Sequence, residues 1–328
     1  MSTVFTGAIQ DVDDPRDHEV DMAKMNMDMA DLTGSFDVTV NPPTGLNQPY
    51  ELKHCYNQLQ INSCVPNAVA LAYRFELQRQ QAADPSFKPS RLFLYYVARY
   101  AAANATAQDK SPDGVVKATF YEGLAKTPPT APMVEDKGAM PREVIRIVTT
   151  LGVASEAENV VDILSTHSSW PYDEGIVSQV PYPQTFQAAT LHKGLNYARP
   201  HLDHKMSDHS INCWKGCIKS GYPVVFAFLV FPSLWDKGYD PRQDPFVLTL
   251  PRETDVNQHT AGHCVVAIGW NDSVSTGNGV TEGCFLIQNS WGEIGLNGKG
   301  QFWLPYTWFS RAGYLYNPWT FMKGVPKG

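Results

Sequence analysis

The chain has 328 residues, of which 43% are hydrophobic and 12% aromatic, so it has enough apolar side chains to fill one large core. A net charge of −7 and a sequence pI near 5.7 provide no basic field, which argues against nucleic acid and anionic membranes as partners. The longest apolar run, Val224 to Phe231, is too short to cross a bilayer, and Met1 to Asp21 lacks the apolar core of a secretory signal. We therefore expect a soluble, cytoplasmic protein.

The first 35 residues form an acidic, methionine-rich segment, with Met22, Met25, Met27 and Met29 close together. This segment is too short for a folded prodomain, so we expect a flexible or loosely docked arm. An alternative is that the arm covers the cleft of its own chain. The body of the protein is expected to occupy residues 36–328.

The first predicted helix begins at Cys64 and runs to about Gln81. Its apolar residues follow the spacing of a helix face, from Ala68 to Phe75, and Pro66 is tolerated because it falls in the first turn. Ser63 is the expected N-cap. A second helix is predicted from a Ser90 cap to about Tyr100, and a third from about Met140 to Leu151.

Residues 101–138 are rich in Ala, Thr, Pro, Gly and charge, and they are predicted to be an insertion. Further along, Asp208 to Lys219 has the pattern of an amphipathic helix that ends at Gly221. A metal site is conceivable from His201, His204, His209, Cys213 and Cys217, but these spacings match no standard zinc pattern. We expect no metal there.

From Tyr222 onward, short apolar runs bounded by Gly, Asn and Pro predict a sheet. The runs are Pro223 to Phe228, Cys264 to Ile268, Cys284 to Gln288 and Gly300 to Leu304, and a short strand is also predicted at Phe36 to Val40. The chain is thus helical over about 60–220 and β-rich over about 221–310. This order predicts an α+β fold with two facing halves.

Cys64 is a candidate nucleophile because a helix N-terminus favours the thiolate form. A buried, inert cysteine is the alternative at this position. His263 stands at the entry of one predicted strand, and Asn289 stands at the exit of the next. A thiol nucleophile needs an imidazole that takes up its proton, and the imidazole needs a third group to orient it. The three residues supply these roles if the strands are adjacent.

The order of these motifs resembles the papain family of cysteine peptidases. A glutamine lies six residues before the cysteine of a Ser-Cys pair, a Gly-His pair enters an apolar strand, and Asn-Ser-Trp-Gly follows. Other stretches resemble the compact, prodomain-free branch of microbes and viruses: Asn57-Gln58, Ser63 to Ala68, Pro89 to Tyr96, Trp170-Pro171-Tyr172 and Gly221 to Val225. The resemblance covers about residues 36–310 and implies a papain-like fold of two subdomains with a cleft between them.

The resemblance implies a role for each matching residue. Cys64 is the nucleophile, His263 the general base and then acid, and Asn289 the residue that orients His263. Gln58 donates to the oxyanion alongside the backbone N–H of Cys64, and Trp291 shields the His263–Asn289 hydrogen bond.

The sequence also departs from the family. Val65 replaces the usual aromatic residue after the nucleophile, and Ile61 replaces a disulfide cysteine of secreted members. Cys264 occupies a position that usually lines the second specificity pocket, so the resemblance implies Cys264 and Trp291 as substrate-binding residues. A structural or redox-sensitive role is the alternative for Cys264. Cys64 and His263 are 199 residues apart, and extra loops at about 101–138 and 236–258 account for this length.

The leading hypothesis is a cysteine-type peptidase that acts on peptide or amide substrates through an acyl-enzyme, with no metal or organic cofactor. An acyltransferase or peptide ligase that uses the same thioester is the alternative within enzymes. A binding protein on a papain-like fold is the alternative outside them. All six cysteines are expected to be free thiols in a reducing compartment.

Overall fold

Within the described residues, the α-helices lie in the first two thirds of the chain, and all but two short strands lie in the last third. The computed structural model describes residues 7–322 apart from 24, 26, 53–54, 82–83, 85–86, 131–134, 158–166, 194–195, 203–206, 233–245, 256–257, 259–260 and 278–279. Within that part the α-helices are α1 (Cys64–Arg79), α2 (Arg91–Asn104), α3 (Ala118–Lys126), α4 (Pro141–Thr150), α5 (Pro183–Ala189) and α6 (Asp208–Lys219). The strands are β1 (Ser35–Asp37), β2 (Asn196–Ala198), β3 (Val224–Val230), β4 (Ala261–Gly277), β5 (Val280–Gln288), β6 (Gln301–Pro305) and β7 (Leu315–Met322).

These strands form one antiparallel sheet in the order β2-β7-β3-β4-β5-β6, and β1 pairs with β4. The long strand β4 is therefore central, with β3 and β5 as its neighbours. Its register places His263 opposite Phe228 of β3 and Val266 opposite Gln288 of β5. Because Asn289 directly follows β5, the pairing of β4 and β5 brings it to the same end of the sheet as His263.

Helix α1 packs in the centre of the molecule, and every residue from Cys64 to Glu76 is buried. Burial of α1 therefore extends beyond the predicted apolar face, since Val65, Val69 and Tyr73 on other faces are also buried. A helix that is apolar on all sides is typical of a position inside a large core. The buried start of this helix places Cys64 within the molecule.

The predicted α+β architecture is confirmed by the helices and the antiparallel sheet. Some elements differ from the prediction. Helix α2 continues to Asn104, and α3 lies inside the segment predicted as an insertion. Strands β2 and β7 were not predicted. Part of the second expected loop, 236–258, lies outside the described residues.

The described residues lack two kinds of feature, a membrane-spanning helix and a cluster of metal ligands. Across the described ranges, no helix is both long and apolar enough to span a membrane. The same ranges contain no group of three His, Cys, Asp or Glu side chains arranged to hold a metal ion. Within them, Cys213 lies 3.4 Å from His209 across one turn of α6, whereas His204 falls outside the described part.

Candidate active site

Cys64 is the first residue of α1 and has no solvent exposure. Ser63 occupies the N-cap position as predicted, but its side chain makes no cap hydrogen bond. Backbone N–H groups of Cys264, Val65 and Ala8 lie near enough to the Cys64 thiol to favour its thiolate form. Because Cys264 follows His263 on β4, this contact sets the start of α1 directly against the strand that carries the histidine.

His263 and Asn289 form the hydrogen-bonded pair that the sequence pattern predicts. The His263 Nε2 to Asn289 Oδ1 distance is 2.7 Å, and both residues are buried. An amide oxygen only accepts, so Nε2 carries the proton and Nδ1 is the basic nitrogen. Among the described residues, Nδ1 has no hydrogen-bond partner.

Aromatic rings enclose the imidazole of His263. The indole of Trp291 stacks on it with ring centroids 4.5 Å apart, and Phe228 meets it edge-on at 5.5 Å. The structure therefore places Trp291 over the imidazole that is bonded to Asn289. Cys264 is fully buried on β4 and lines a small internal cavity with Ala68.

Gln58 is almost completely buried, and hydrogen bonds determine the orientation of its amide. Ser290 Oγ donates to Gln58 Oε1 at 2.8 Å, and Gln58 Nε2 donates to the carbonyl of Ile61 at 2.9 Å. The backbone N–H of Gln58 also donates to the carbonyl of Ser290 at 2.8 Å. These bonds attach the segment before Cys64 to the residue that follows Asn289.

Burial shifts the pKa values of both reactive groups in the direction that favours their neutral forms. It raises the pKa of the Cys64 thiol to about 12, although nearby backbone N–H groups act in the opposite direction. It lowers the pKa of His263 to about 4, although the bond to Asn289 opposes this shift. In the observed conformation the pair is therefore a neutral thiol and a neutral imidazole at pH 7.

Residues 7–9 of the N-terminal segment lie across this pair. Gly7 and Ala8 donate backbone hydrogen bonds to Gly262 at 3.1 and 3.0 Å, and the N–H of Ala8 also reaches the Cys64 thiol. On the opposite side, Ile9 donates to the carbonyl of Ala139 at 2.9 Å, and Ala139 donates to Gly7 at 2.8 Å. The segment thus bridges both sides of the cleft and contributes to the burial of Cys64 and His263.

Two carboxylates attach the next part of the arm to the body. Asp11 accepts from Trp319 Nε1 at 2.8 Å and from the backbone N–H of Arg142 at 3.1 Å. Asp17 accepts from Arg142 Nη2 at 2.6 Å and from Arg199 Nε at 3.1 Å. Burial raises the pKa of Asp11 to about 6, with the positive charge of Arg142 opposing the shift.

The structure also shows a polar network behind Cys64 that was not predicted from the sequence. Arg91 makes a two-pronged ion pair with Glu156, and its guanidinium lies between the rings of Tyr56 and Tyr172. It also donates to Asn67 in the first turns of α1. The motifs that resemble the papain family include Arg91, Asn67 and Tyr172. Their positions along the chain do not predict that the three side chains are in contact.

The chain is similar to known proteins in sequence and in fold. No protein-family model matches the chain. It is 28% identical over 265 residues to an uncharacterized peptidase C1-like protein of Acanthamoeba polyphaga mimivirus, covering 80% of this chain and 68% of that protein. The crystal structure of xylellain, a cysteine protease from Xylella fastidiosa, matches with 25% identity and a TM-score of 0.65, covering 97% of this chain and 96% of that chain. Procathepsin B from Trypanosoma congolense shares the fold at 12% identity and a TM-score of 0.53, over 96% and 85% of the two chains.

Proposed function

We propose that this chain, which is papain-like in sequence and fold, is a cysteine peptidase that hydrolyses peptide or amide bonds through a thioester. One observation carries the proposal. A buried imidazole, bonded through Nε2 to the amide oxygen of Asn289, lies on the strand that touches a cysteine at a helix N-terminus. The mimivirus protein and xylellain support the same activity by their names.

The proposed reaction begins with the transfer of the Cys64 proton to Nδ1 of His263, the ring nitrogen that Asn289 leaves as an acceptor. The thiolate sulfur then attacks the scissile carbonyl carbon, and the carbon–nitrogen bond breaks. His263 returns the proton to the departing amine. In the second half, His263 takes a proton from water, whose oxygen attacks the thioester carbon. The carbon–sulfur bond then breaks, the acid product leaves, and His263 returns the proton to the Cys64 sulfur.

The negative charge that develops on the carbonyl oxygen requires donors near Cys64. We assign this role to the side-chain amide of Gln58 and to the backbone N–H of Cys64. The hydrogen bond from Ser290 to Gln58 Oε1 supports the assignment, because it turns the Nε2 end of the amide away from Ser290. Loss of one such donor typically lowers kcat by about 100- to 1,000-fold.

Substrate binding requires that residues 7–9 leave the cleft, because Cys64 and His263 have no exposed surface while these residues are in place. Departure of the arm also returns water to both groups. Hydration lowers the pKa of the thiol and raises that of the imidazole, which favours the thiolate–imidazolium pair. We infer that the observed arrangement is a resting form and that the peptidase form has the arm displaced.

A peptidyl epoxide tests the proposal because it alkylates an activated thiol. We expect one adduct on Cys64, and we expect Cys64→Ala to lose both the adduct and peptide hydrolysis. Cys55→Ser is the matched control, since Cys55 is a partly exposed cysteine outside the proposed machinery. Hydrolysis that persists in Cys64→Ala would overturn the proposal. Product masses measured with an added amine distinguish hydrolysis from acyl transfer.

A further inference from the structure

We propose that Arg91 is a positioning residue that orients both oxyanion donors, Gln58 and the backbone N–H of Cys64. The inference rests on the proposed acyl-transfer function and deepens it. Arg91 lies at the first position of α2, whereas the two donors lie in the segment that leads into α1. It acts on them through backbone carbonyls and through one asparagine.

The guanidinium of Arg91 is held in place from several directions. Its Nε and Nη2 atoms donate to Glu156 at 2.8 and 2.9 Å, and Lys88 neutralises the same carboxylate at 2.9 Å. The rings of Tyr56 and Tyr172 flank the guanidinium at 4.4 and 3.7 Å from their centroids. Although burial opposes it, the charge of Arg91 helps to hold the pKa of Glu156 below its ordinary value. The pair therefore stays ionised near neutral pH.

The remaining nitrogen, Nη1, makes the first link to the site. It donates to the carbonyl oxygen of Asn57 at 3.2 Å. A peptide unit is planar, so a bond to the Asn57 carbonyl also orients the N–H of Gln58 on the other side of that plane. That N–H donates to Ser290, whose hydroxyl in turn orients the Gln58 side chain.

The second link runs through Asn67. Nη1 of Arg91 donates to Asn67 Oδ1 at 2.8 Å, and Asn67 Nδ2 donates to the carbonyl of Ser63 at 2.8 Å. The Ser63 carbonyl and the Cys64 N–H belong to one peptide plane, so this bond sets the direction of the second oxyanion donor. Because Arg91 binds the oxygen of Asn67, it determines which end of that amide faces Ser63.

Tyr172 makes a parallel link to the same segment. Its hydroxyl donates to the carbonyl of Gln58 at 3.0 Å and also hydrogen-bonds Ser63 Oγ, while its ring stacks on Arg91. These contacts account for Ser63, whose side chain does not cap α1. Arginine suits this position because its planar fork supplies five donors at fixed angles, which lysine does not.

The test compares two reactions of Cys64. Hydrolysis of a peptidyl coumarin amide develops an oxyanion, whereas alkylation by iodoacetamide displaces iodide at a saturated carbon and develops none. For Arg91→Lys we expect kcat for the amide to fall by about tenfold or more, part of the loss for a missing donor, with KM within about threefold. Alkylation is expected to stay within about threefold of wild type, because it bypasses the oxyanion donors.

Tyr172→Phe provides the second variant, since it keeps the ring against Arg91 and removes only the hydroxyl bonds. We expect kcat for the amide to fall by about fivefold, with the alkylation rate unchanged. Tyr73→Phe is the matched control, because the hydroxyl of Tyr73 on α1 donates to the carbonyl of His192 at 3.3 Å and, within the described part of the chain, to no residue of this network. If Arg91→Lys does not fold, Tyr172→Phe against Tyr73→Phe carries the comparison.

Each outcome decides the inference. A fall in amide hydrolysis by Arg91→Lys with unchanged alkylation supports it. Equal losses in both reactions would show a structural role only and overturn it, as would unchanged hydrolysis. A wild type that alkylates at Cys64 but hydrolyses no peptide of a library would contradict the proposed function itself.

Discussion

The two walls of the cleft hold their reactive groups by different means. On the helical wall, hydrogen bonds from Arg91, Asn67 and Tyr172 hold backbone carbonyls next to the donors. On the β wall, the imidazole of His263 makes one hydrogen bond within the described part of the chain, to Asn289, and aromatic rings pack against it. The difference follows from the groups themselves. A backbone N–H is aimed only by fixing its peptide plane, whereas a side chain on a strand is aimed by the alternation of the strand and by packing.

The arm connects the two walls, since Ala8 bonds Gly262 on the β wall while its neighbours bond Ala139 on the helical wall. Near Cys64 the arm is held by backbone hydrogen bonds, and farther along it is held by the carboxylates of Asp11 and Asp17. Disturbance of each wall and of the arm should therefore have separable consequences. Four predictions test this separation, ordered by the size of the expected effect.

Asn289→Ala tests the hydrogen bond between His263 and Asn289 on the β wall. Without the acceptor at Nε2, either ring nitrogen of His263 carries the proton and the ring turns more freely. We expect kcat for amide hydrolysis to fall by about 100-fold, a large part of a general acid–base contribution. Steady-state kinetics with a peptidyl coumarin amide measure this. A loss of less than threefold would show that packing alone orients the imidazole.

Gly7→Val tests the arm at its closest approach to the helical wall. Gly7 has φ of +130°, and a Cβ atom there would lie 2.1 Å from the carbonyl oxygen of Asn62. Strain and clash of about 2 kcal/mol shift docking by about 30-fold, so alkylation of Cys64 by iodoacetamide should accelerate by about that factor.

Gly34→Val is the matched control for the arm. Gly34 also has a positive φ, of +80°, but no atom lies within 4 Å of an added Cβ. We expect its alkylation rate to match that of wild type. Equal rates in Gly7→Val and wild type would contradict the inference that residues 7–9 restrict access to the thiol.

Asp11→Asn tests the carboxylate attachment through its pH dependence. Burial raises the pKa of docked Asp11 to about 6, with Arg142 and Arg199 opposing the shift, and the pKa of neighbouring Asp17 is raised as well. A raised carboxyl pKa means that proton uptake favours docking, so docking weakens as pH rises through about 6.

The expected result is a ratio of two alkylation rates. Between pH 5 and pH 7, the rate for wild type divided by that for Asp11→Asn should rise by about tenfold, because only wild type loses the proton. The division cancels the ionisation of Cys64, which both proteins share. A ratio that falls with pH would show that the ionised carboxylate strengthens docking.

Trp291→Leu tests the enclosure of the His263–Asn289 bond. The stacked indole lies 4.5 Å from the imidazole, and its removal admits water that competes for the hydrogen bond. We expect kcat to fall by about fivefold, since a bond in a wet site is weaker than one in a dry site. Trp303→Leu, at a half-buried tryptophan on β6, is the control for the loss of an indole. Equal losses in both variants would assign the effect to stability.

The sequence predicts local features of this fold well and distant ones poorly. The start of α1 at Cys64 and the Ser90 cap of α2 follow from caps and periodicity, and the Phe93 N–H donates the expected cap hydrogen bond to Ser90 Oγ. Helix α3 escaped prediction because it has nine residues and no side-chain cap. Strand β7 follows a short 3₁₀ helix, Tyr306–Ser310, and its place between β2 and β3 depends on long-range pairing.

The candidate site divides in the same way. The motifs single out Cys64, His263 and Asn289, and the structure brings their elements together, while their catalytic roles stay proposals. Arg91 and Glu156 are 65 positions apart, and no local pattern pairs them. The sequence does not single out Ala8 as a residue that covers the cleft, because its contacts are made by backbone groups that every residue has.

The most direct test of the central claim is to trap the acyl-enzyme. Wild type mixed with an activated peptidyl ester and quenched in acid should show a mass increase equal to the acyl group, located on the peptide that contains Cys64. The same experiment with Cys64→Ala should show none. An acyl group on another residue, or turnover of the ester with an unmodified Cys64, would contradict the account.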